Sequence, residues 1–239
     1  MRDGQILPLD ETYNLVITSD NAANIGEQQL DQIKAPYSIV ALSLCRVAIM
    51  EGMALGGVPV AALLFNFSDH KVWDVFVEAI QNMTASLGYS VPITGSTETN
   101  FPLPQSAFGL SIISKVPKHA SFQRNTPNHA AFAVIGEPLV GEEVLTKQED
   151  MAPLRLFQQL LNNEHVYEIL PVGSRGIEQE LNTVLEDNHL PLDRTIMAEV
   201  NVQKSAGPSS CFIISYNKER EEEIQLISGN YFHSLLLVD

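Results

Sequence analysis

Basic residues are scarce in this 239-residue chain: 14 Lys and Arg stand against 29 Asp and Glu, a formal net charge of −15. Non-specific nucleic-acid binding needs clustered Lys and Arg to displace counterions from phosphates, and anionic membrane surfaces select for the same clusters. No nucleic-acid partner and no membrane partner are therefore expected. Cysteine is nearly absent. Cys45 and Cys211 form no CxxC, and the six histidines are spread out with neither a close pair nor an HExxH, so no zinc-type ligand spacing exists. Two isolated cysteines suit a reducing compartment, and the opening MRDGQILPLDE has no apolar stretch of the secretory kind, which together place the chain in the cytoplasm. The Walker A pattern GxxxxGK[ST], the dinucleotide pattern GxGxxG and the nucleophile elbow GxSxG are all missing.

What is present is an ordinary globular composition, 45% hydrophobic and 18% charged, long enough for one large domain or two modest ones. The longest apolar stretch runs from Ile39 to Phe67. Arg46 and Glu51 interrupt it, each costing about 2.5–3.5 kcal/mol at a bilayer centre, and Gly56, Gly57 and Pro59 break it again. A buried helix followed by a buried strand is the better reading.

Periodicity predicts a strand over 14–19 that ends at Asp20, a connector over 30–36, a helix over 38–55 and a strand over 58–67. Apolar residues at three- and four-residue steps predict an amphipathic helix over 72–87, closed by Gly88. Strands follow over 107–116 and 131–135, joined by the turn-rich KHASFQRNTPNH. The Gly- and Pro-punctuated GEPLVGEE reads as a domain boundary, giving an N-terminal domain over 1–141 and a smaller α+β domain over 142–239. From residue 166 the expected order is β-α-β-β-α-β, the ferredoxin-like order.

Three acids stand at element ends or in unusual settings. Glu51 sits in an otherwise apolar helix, where an unpaired charge is costly. Arg46, five residues earlier, lies about 140° around the helix and does not face it. Glu51 therefore wants either a distant Lys or Arg, or a cation such as Mg²⁺, which binds one or two carboxylates plus phosphate oxygens and water. Asp20, beside Asn21 and Asn24, is either loop chemistry or a ligand. Glu98 lies in Gly95-Ser96-Thr97-Glu98-Thr99, which is either a polar loop or a set of hydroxyls and a carboxylate for phosphate and metal. Lys34 and Arg46 are candidate contacts for such a phosphate, with a solvated Lys the default reading. Cys45, amid apolar helix residues, reads as packing. SAGPSS at 205–210 reads equally as an anion nest and as a turn.

Taken together, Thr18-Ser19-Asp20, then Met50-Glu51-Gly52-Met53-Ala54-Leu55-Gly56-Gly57-Val58-Pro59, then Ser96-Thr97-Glu98-Thr99 resemble, in order and spacing, the AIR-synthase-like (PurM-like) superfamily. The resemblance covers about residues 12–146. It implies an α+β fold with a PurM-like ATP-binding N-terminal domain, ATP and Mg²⁺ as cofactors, and a homodimer formed through that domain. It further implies Asp20, Glu51 and Glu98 as metal ligands gathered on one cation-bound triphosphate. Asp20, Asn21, Lys34, Gly95, Ser96, Thr97 and Thr99 would bind nucleotide, and Asp20 or Glu98 would act as base. Glu51 stands where the superfamily has Asp, Met50 replaces a polar residue, and Ser96-Thr97 replace paired glycines. The N-terminal text is most similar to short AIR-synthase-related proteins that include α-ribazole kinase, which implies a kinase acting on the 5′-hydroxyl of a cobalamin lower-ligand nucleoside. A thiamine-monophosphate-kinase-like enzyme and a non-catalytic dimeric nucleotide-binding protein are the alternatives.

Overall fold

The computed structural model describes residues 4–120, 125–192 and 195–238. The chain divides into two compact units, Asp3–Phe122 and Gln123–Asp239. The expected boundary at 141/142 therefore moves upstream. Within the turn-rich loop before residue 130, positions 121–124 lie outside the described residues, as do the chain's first three residues and its last.

The N-terminal unit contains β1 (Gln5–Pro8), β2 (Tyr13–Ala23), β3 (Ile25–Gly26), β4 (Ile33–Lys34), α1 (Tyr37–Ala54), β5 (Val58–Asn66), α2 (Val72–Ser86), β6 (Ile93–Thr97) and β7 (Ala107–Pro117). Its main sheet has the order β1-β2-β7-β5-β6. β7 runs antiparallel to both β2 and β5, while β6 is parallel to β5. β2, β5 and β6 consequently point the same way and end at one edge of the sheet. Along β7 burial alternates residue by residue, the mark of a sheet covered on one face.

Helices α1 and α2 cover that face. α1 is apolar on every side and buried from Ala48 to Ala54; by length and composition alone it could cross a membrane, and 61% of that window is buried inside the unit. Its first free amide is taken by Glu27, whose carboxylate accepts from Tyr37 N at 3.1 Å. The helix stops at Leu55 and turns through Gly56 at φ 77°, with Gly57 N donating to Gly52 O at 2.9 Å. On α2, Val72, Phe76, Ala79 and Ile80 are buried, and the Phe76 ring lies 4.4 Å from that of Phe108.

The C-terminal unit contains β8 (Ala131–Ile135), α3 (Glu143–Thr146), α4 (Leu154–Leu161), β9 (Val166–Pro171), α5 (Gly176–Asp187), β10 (Thr195–Met197), β11 (Phe212–Tyr216), α6 (Glu221–Ser228) and β12 (Phe232–Val238). The order from β9 onward is the expected one, but the pairing is not ferredoxin-like. β8 takes the central place in a β10-β12-β8-β11-β9 sheet whose ladders are all antiparallel. That pairing is also why the domain boundary falls before β8. All five residues of β11 are buried, as a strand covered on both faces requires. Ile177, Leu181 and Val184 of α5 pack with Val134, Leu170 and Ile213 on one face, and Phe157 of α4 meets Phe212 edge-on at 5.0 Å on the other.

The segment 24–36 is more ordered than a connector. Asp31, 6% exposed, accepts from Ser106 N and Ser106 Oγ at 2.7 Å and from Gln28 N at 2.8 Å. Asp31→Ala strands those donors, and urea unfolding should show a loss of about 1.5–3 kcal/mol.

Candidate functional site

The three expected carboxylates all lie in the N-terminal unit, on different elements. Asp20 is a strand residue, not the end of one, because β2 continues to Ala23. It is paired with Leu110 of β7, Leu110 with Leu64 of β5, and Leu64 with Gly95 of β6. Directly paired residues project to the same side of a sheet. Asp20 therefore shares the helix-covered face with buried Leu110 and Leu64, and with Thr18 two residues back.

Burial pushes the Asp20 carboxyl up from 3.8 to about 6, offset only by the backbone N–H of Asn21. No cationic side chain contributes. The Asn21 side chain is exposed on the opposite face of the strand, so its backbone is what serves Asp20.

Glu51 is set beside β2 by the seating of α1. Thr18 Oγ1 donates to the carbonyl of Ala48 at 2.6 Å, and a methyl on Gly52 would stand 3.4 Å from that hydroxyl and 3.1 Å from Ser114 Oγ. Glu51, 9% exposed, precedes Gly52 in the same turn of α1. Arg46, 6% exposed, is also buried in α1, and neither of these two charged residues is without a partner.

Glu98 lies elsewhere. It follows β6, three strand spacings or about 14 Å across the sheet from β2. Its carboxylate accepts from Asn100 N at 2.6 Å and Phe101 N at 3.3 Å, and those amides hold it below the usual carboxylate range. Among the described residues no group of three or more His, Cys, Asp or Glu is placed to hold a metal ion. Three acids on a single cation thus stay an expectation: Asp20 lies on β2 and Glu51 on α1, while β7 and β5 lie between β2 and β6, which Glu98 follows.

The Gly95-Ser96-Thr97 segment forms β6, not a loop. Gly95 has φ 153°, and a Cβ there would sit 1.8 Å from the Leu64 carbonyl, so β6 can approach β5 only with glycine at this point. Ser96 pairs with Phe65 and Thr97 with Asn66, while Thr99 is exposed beyond the strand. Lys34 Nζ donates to the carbonyls of Gln28 and Gln29, so it already clasps its own loop.

A residue outside the expected set organises the β5–β6 end. Asn66, 2% exposed, donates from Nδ2 to Asp69 O at 2.8 Å and to Thr97 Oγ1 at 3.3 Å. It accepts at Oδ1 from Ser68 N at 2.9 Å, and its own carbonyl accepts from Glu98 N at 2.8 Å. A polar residue closing an apolar strand run was the available signal. Cys45 is packing, as expected: burial pushes its thiol up to about 12. SAGPSS is tied as a turn, since Ser210 Oγ donates to Glu137 O and accepts from Leu139 N, both at 2.8 Å.

The hard oxygen donors of Asp20 and Glu51 fit Mg²⁺, and a half-buried carboxylate whose charge no side-chain cation offsets fits one in particular. β2, β5 and β6 deliver their carboxyl ends to one edge of the sheet.

No protein-family profile and no curated protein matches the chain. Solved structures do. The chain is similar to tt0281 from Thermus thermophilus at TM-score 0.66 and 12% identity, covering 99% of this chain and 86% of that one. It is similar to thiamine monophosphate kinase from Aquifex aeolicus at TM-score 0.62 and 11% identity, covering 100% and 89%. It is also similar to T. maritima PurL complexed with ATP at TM-score 0.62 and 12% identity, where it spans 99% of itself and 42% of that chain. The fold is thus the α+β, PurM-like one.

The raised pKa of Asp20 sets a stability slope. The folded state holds this proton more tightly than the unfolded chain, so the contribution is present below pH 3.8 and lost as pH rises to about 6. The loss is on the order of 3 kcal/mol. Asp20→Asn should therefore flatten the decline in thermal stability between pH 4 and 6 and leave the variant the more stable protein at neutral pH; equal slopes for both proteins would contradict this.

Proposed function

We propose that this chain is a cytoplasmic ATP- and Mg²⁺-dependent phosphotransferase acting on a small molecule, with the nucleotide held by the N-terminal unit. The single observation that carries the reading is Asp20: a half-buried carboxylate within β2, on the helix-covered face of a PurM-like sheet, with burial and no cationic side chain behind its raised proton affinity. Mg²⁺, when bound, would neutralise phosphate charge there. Asp20 and Glu51 would hold it, and Gly95, Ser96, Thr97 and Thr99, on and after β6 with β7 and β5 between them and β2, would meet phosphate oxygens farther along an extended nucleotide.

Phosphoryl transfer asks little covalent chemistry of the protein, so positioning and charge account for most of the rate. The γ-phosphoryl bond to ADP breaks as a bond to the acceptor oxygen forms, and the acceptor hydroxyl gives up its proton. Of the two candidate bases Glu98 is held low by the amides of Asn100 and Phe101, and Asp20 would serve only when it is not itself a ligand of the cation. Glu98 then orders the turn after β6.

The acceptor favoured by the sequence resemblance is the 5′-hydroxyl of α-ribazole. The likeness to the Aquifex kinase keeps thiamine monophosphate as a second acceptor. Purified protein with Mg²⁺ and ATP should produce ADP and α-ribazole phosphate in equal amounts, with no product from thiamine monophosphate. Phosphorylation of thiamine monophosphate alone would reverse the choice. Tight ATP binding with no turnover of either acceptor would make the chain a nucleotide-binding protein without catalysis. Asp20→Ala should weaken Mg²⁺-dependent ATP binding by about a hundredfold, the loss of a charge-assisted contact and its cation.

A homodimer through the N-terminal unit belongs to the proposal. The sheet face opposite the helices exposes Val58 (48%), Val60 (40%) and Phe65 (38%), an apolar strip too large for a surface meant to stay wet. Phe65→Asp should convert a dimer to a monomer in sedimentation; an unchanged mass would remove this face from the interface.

A further inference from the structure

Strand β12 has a free stretch on its outer edge. β8 takes one edge along residues 232–235, while β10 takes the other only along 236–238. Gly136 N donates to Tyr231 O at 2.7 Å, which makes Tyr231 and Gly136 a hydrogen-bonded pair of the antiparallel ladder. Alternation then turns the N–H and C=O of His233 and Leu235 toward β8, and those of Phe232 and Ser234 away from it. β10 ends at Met197, opposite Leu236. From there the chain leaves the edge, with Ala198, Val200 and Val202 packed on the core under α5. The four outward groups of Phe232 and Ser234 have no partner among the described residues.

The gap opens onto a groove of about 640 Å³ lined by Phe232, Ser234 and Leu236 of β12, by Met197 and Glu199, and by Gln225 of α6. Met197 and Leu236, paired side by side, are each 55% exposed. Edge strands are normally blunted by a Lys, a Pro or a bulge, and residues 232–235 have none of them. An unpaired edge beside alternate apolar side chains is the geometry by which a sheet accepts one more strand. Among the described residues lining the groove, Glu199 alone is charged, and Glu222 stands one turn before Gln225 on α6. Both are exposed, and neither is in an ion pair among the described residues.

We propose that this edge takes an extended segment of a partner protein as an added strand, with apolar side chains at alternate positions and Lys or Arg toward its ends. Its backbone pairs with Phe232 and Ser234 in line with β10, its apolar side chains lie over Met197 and Leu236, and its cationic groups answer Glu199 and Glu222. Charge complementarity sets the occupant: a second copy of this chain, net charge −15, would bring the same acids to the groove again. The edge belongs to the C-terminal unit and shares no residue with the proposed nucleotide site.

The probe is the peptide acetyl-Lys-Leu-Thr-Val-Thr-Leu-Lys-amide, titrated calorimetrically into the full chain. It should bind saturably at one site, at least ~10-fold more tightly than the same peptide with Glu in place of both Lys. N-methylation of its three central amides keeps every side chain but removes the donors of a strand, and should abolish binding. Ser234→Pro takes away an N–H that no ladder bond uses, so the sheet keeps its pairing while binding falls at least ~10-fold. Glu199→Lys, an exposed change outside the core, should narrow the preference for the Lys peptide several-fold. No saturable binding up to ~1 mM, equal binding of the N-methylated peptide, or a preference unchanged in Glu199→Lys overturns the proposal. So does self-association that survives Phe65→Asp and is lost in Ser234→Pro, which gives the edge to a second copy.

Discussion

The hydrogen bond from Thr18 Oγ1 to the Ala48 carbonyl, 2.6 Å long and sealed from water, ties the first long helix to the sheet. A hydroxyl sealed from water needs such an acceptor, and the second lone pair of the helical carbonyl supplies it. The contact is possible only because Gly52 and Gly57 leave no side chain between the helix end and Ser114. The pairing fixes which turn of α1 rests on which residue of β2. A helix apolar on all sides has no stripe of its own to set its rotation. Here the rotation is set by one hydroxyl and two glycines.

The second constraint is strand direction. β7 lies antiparallel between β2 and β5, so the strands carrying Asp20, Asn66 and Thr97 share one polarity. Motifs far apart in the chain thereby reach one sheet edge. The same order keeps Glu98 remote from Asp20, since the strand that joins them in direction separates them in space.

Much of the fold was legible in the sequence. The helices over 37–54 and 72–86 and the strands over 58–66, 107–117, 131–135 and 232–238 follow from periodicity and from Gly56 and Gly88, because local pattern and tertiary burial agree there. β6 was not legible as a strand, since Thr-Gly-Ser-Thr is polar; it exists because Gly95 lets the backbone close on Leu64. The pairing of β8 with β11 and β12 also escaped, as register across some eighty residues leaves no local signal. Of the candidate site, the burial of Glu51 was readable from its apolar helix, while the burial of Asp20 inside β2 and the distance of Glu98 were not, because they depend on sheet order. Asn66 was hidden by its neutrality: its four contacts appear only when β5 and β6 are side by side.

The account turns on Asp20 as the buried carboxylate that a cation completes. Crystals grown with Mn²⁺ in place of Mg²⁺ and a non-hydrolysable ATP analogue would test it directly through anomalous scattering. The account predicts a manganese peak in direct contact with an Asp20 carboxylate oxygen and a phosphate oxygen. A nucleotide bound with its metal away from Asp20, or Asp20 found protonated and without a metal beside a bound nucleotide, would contradict it.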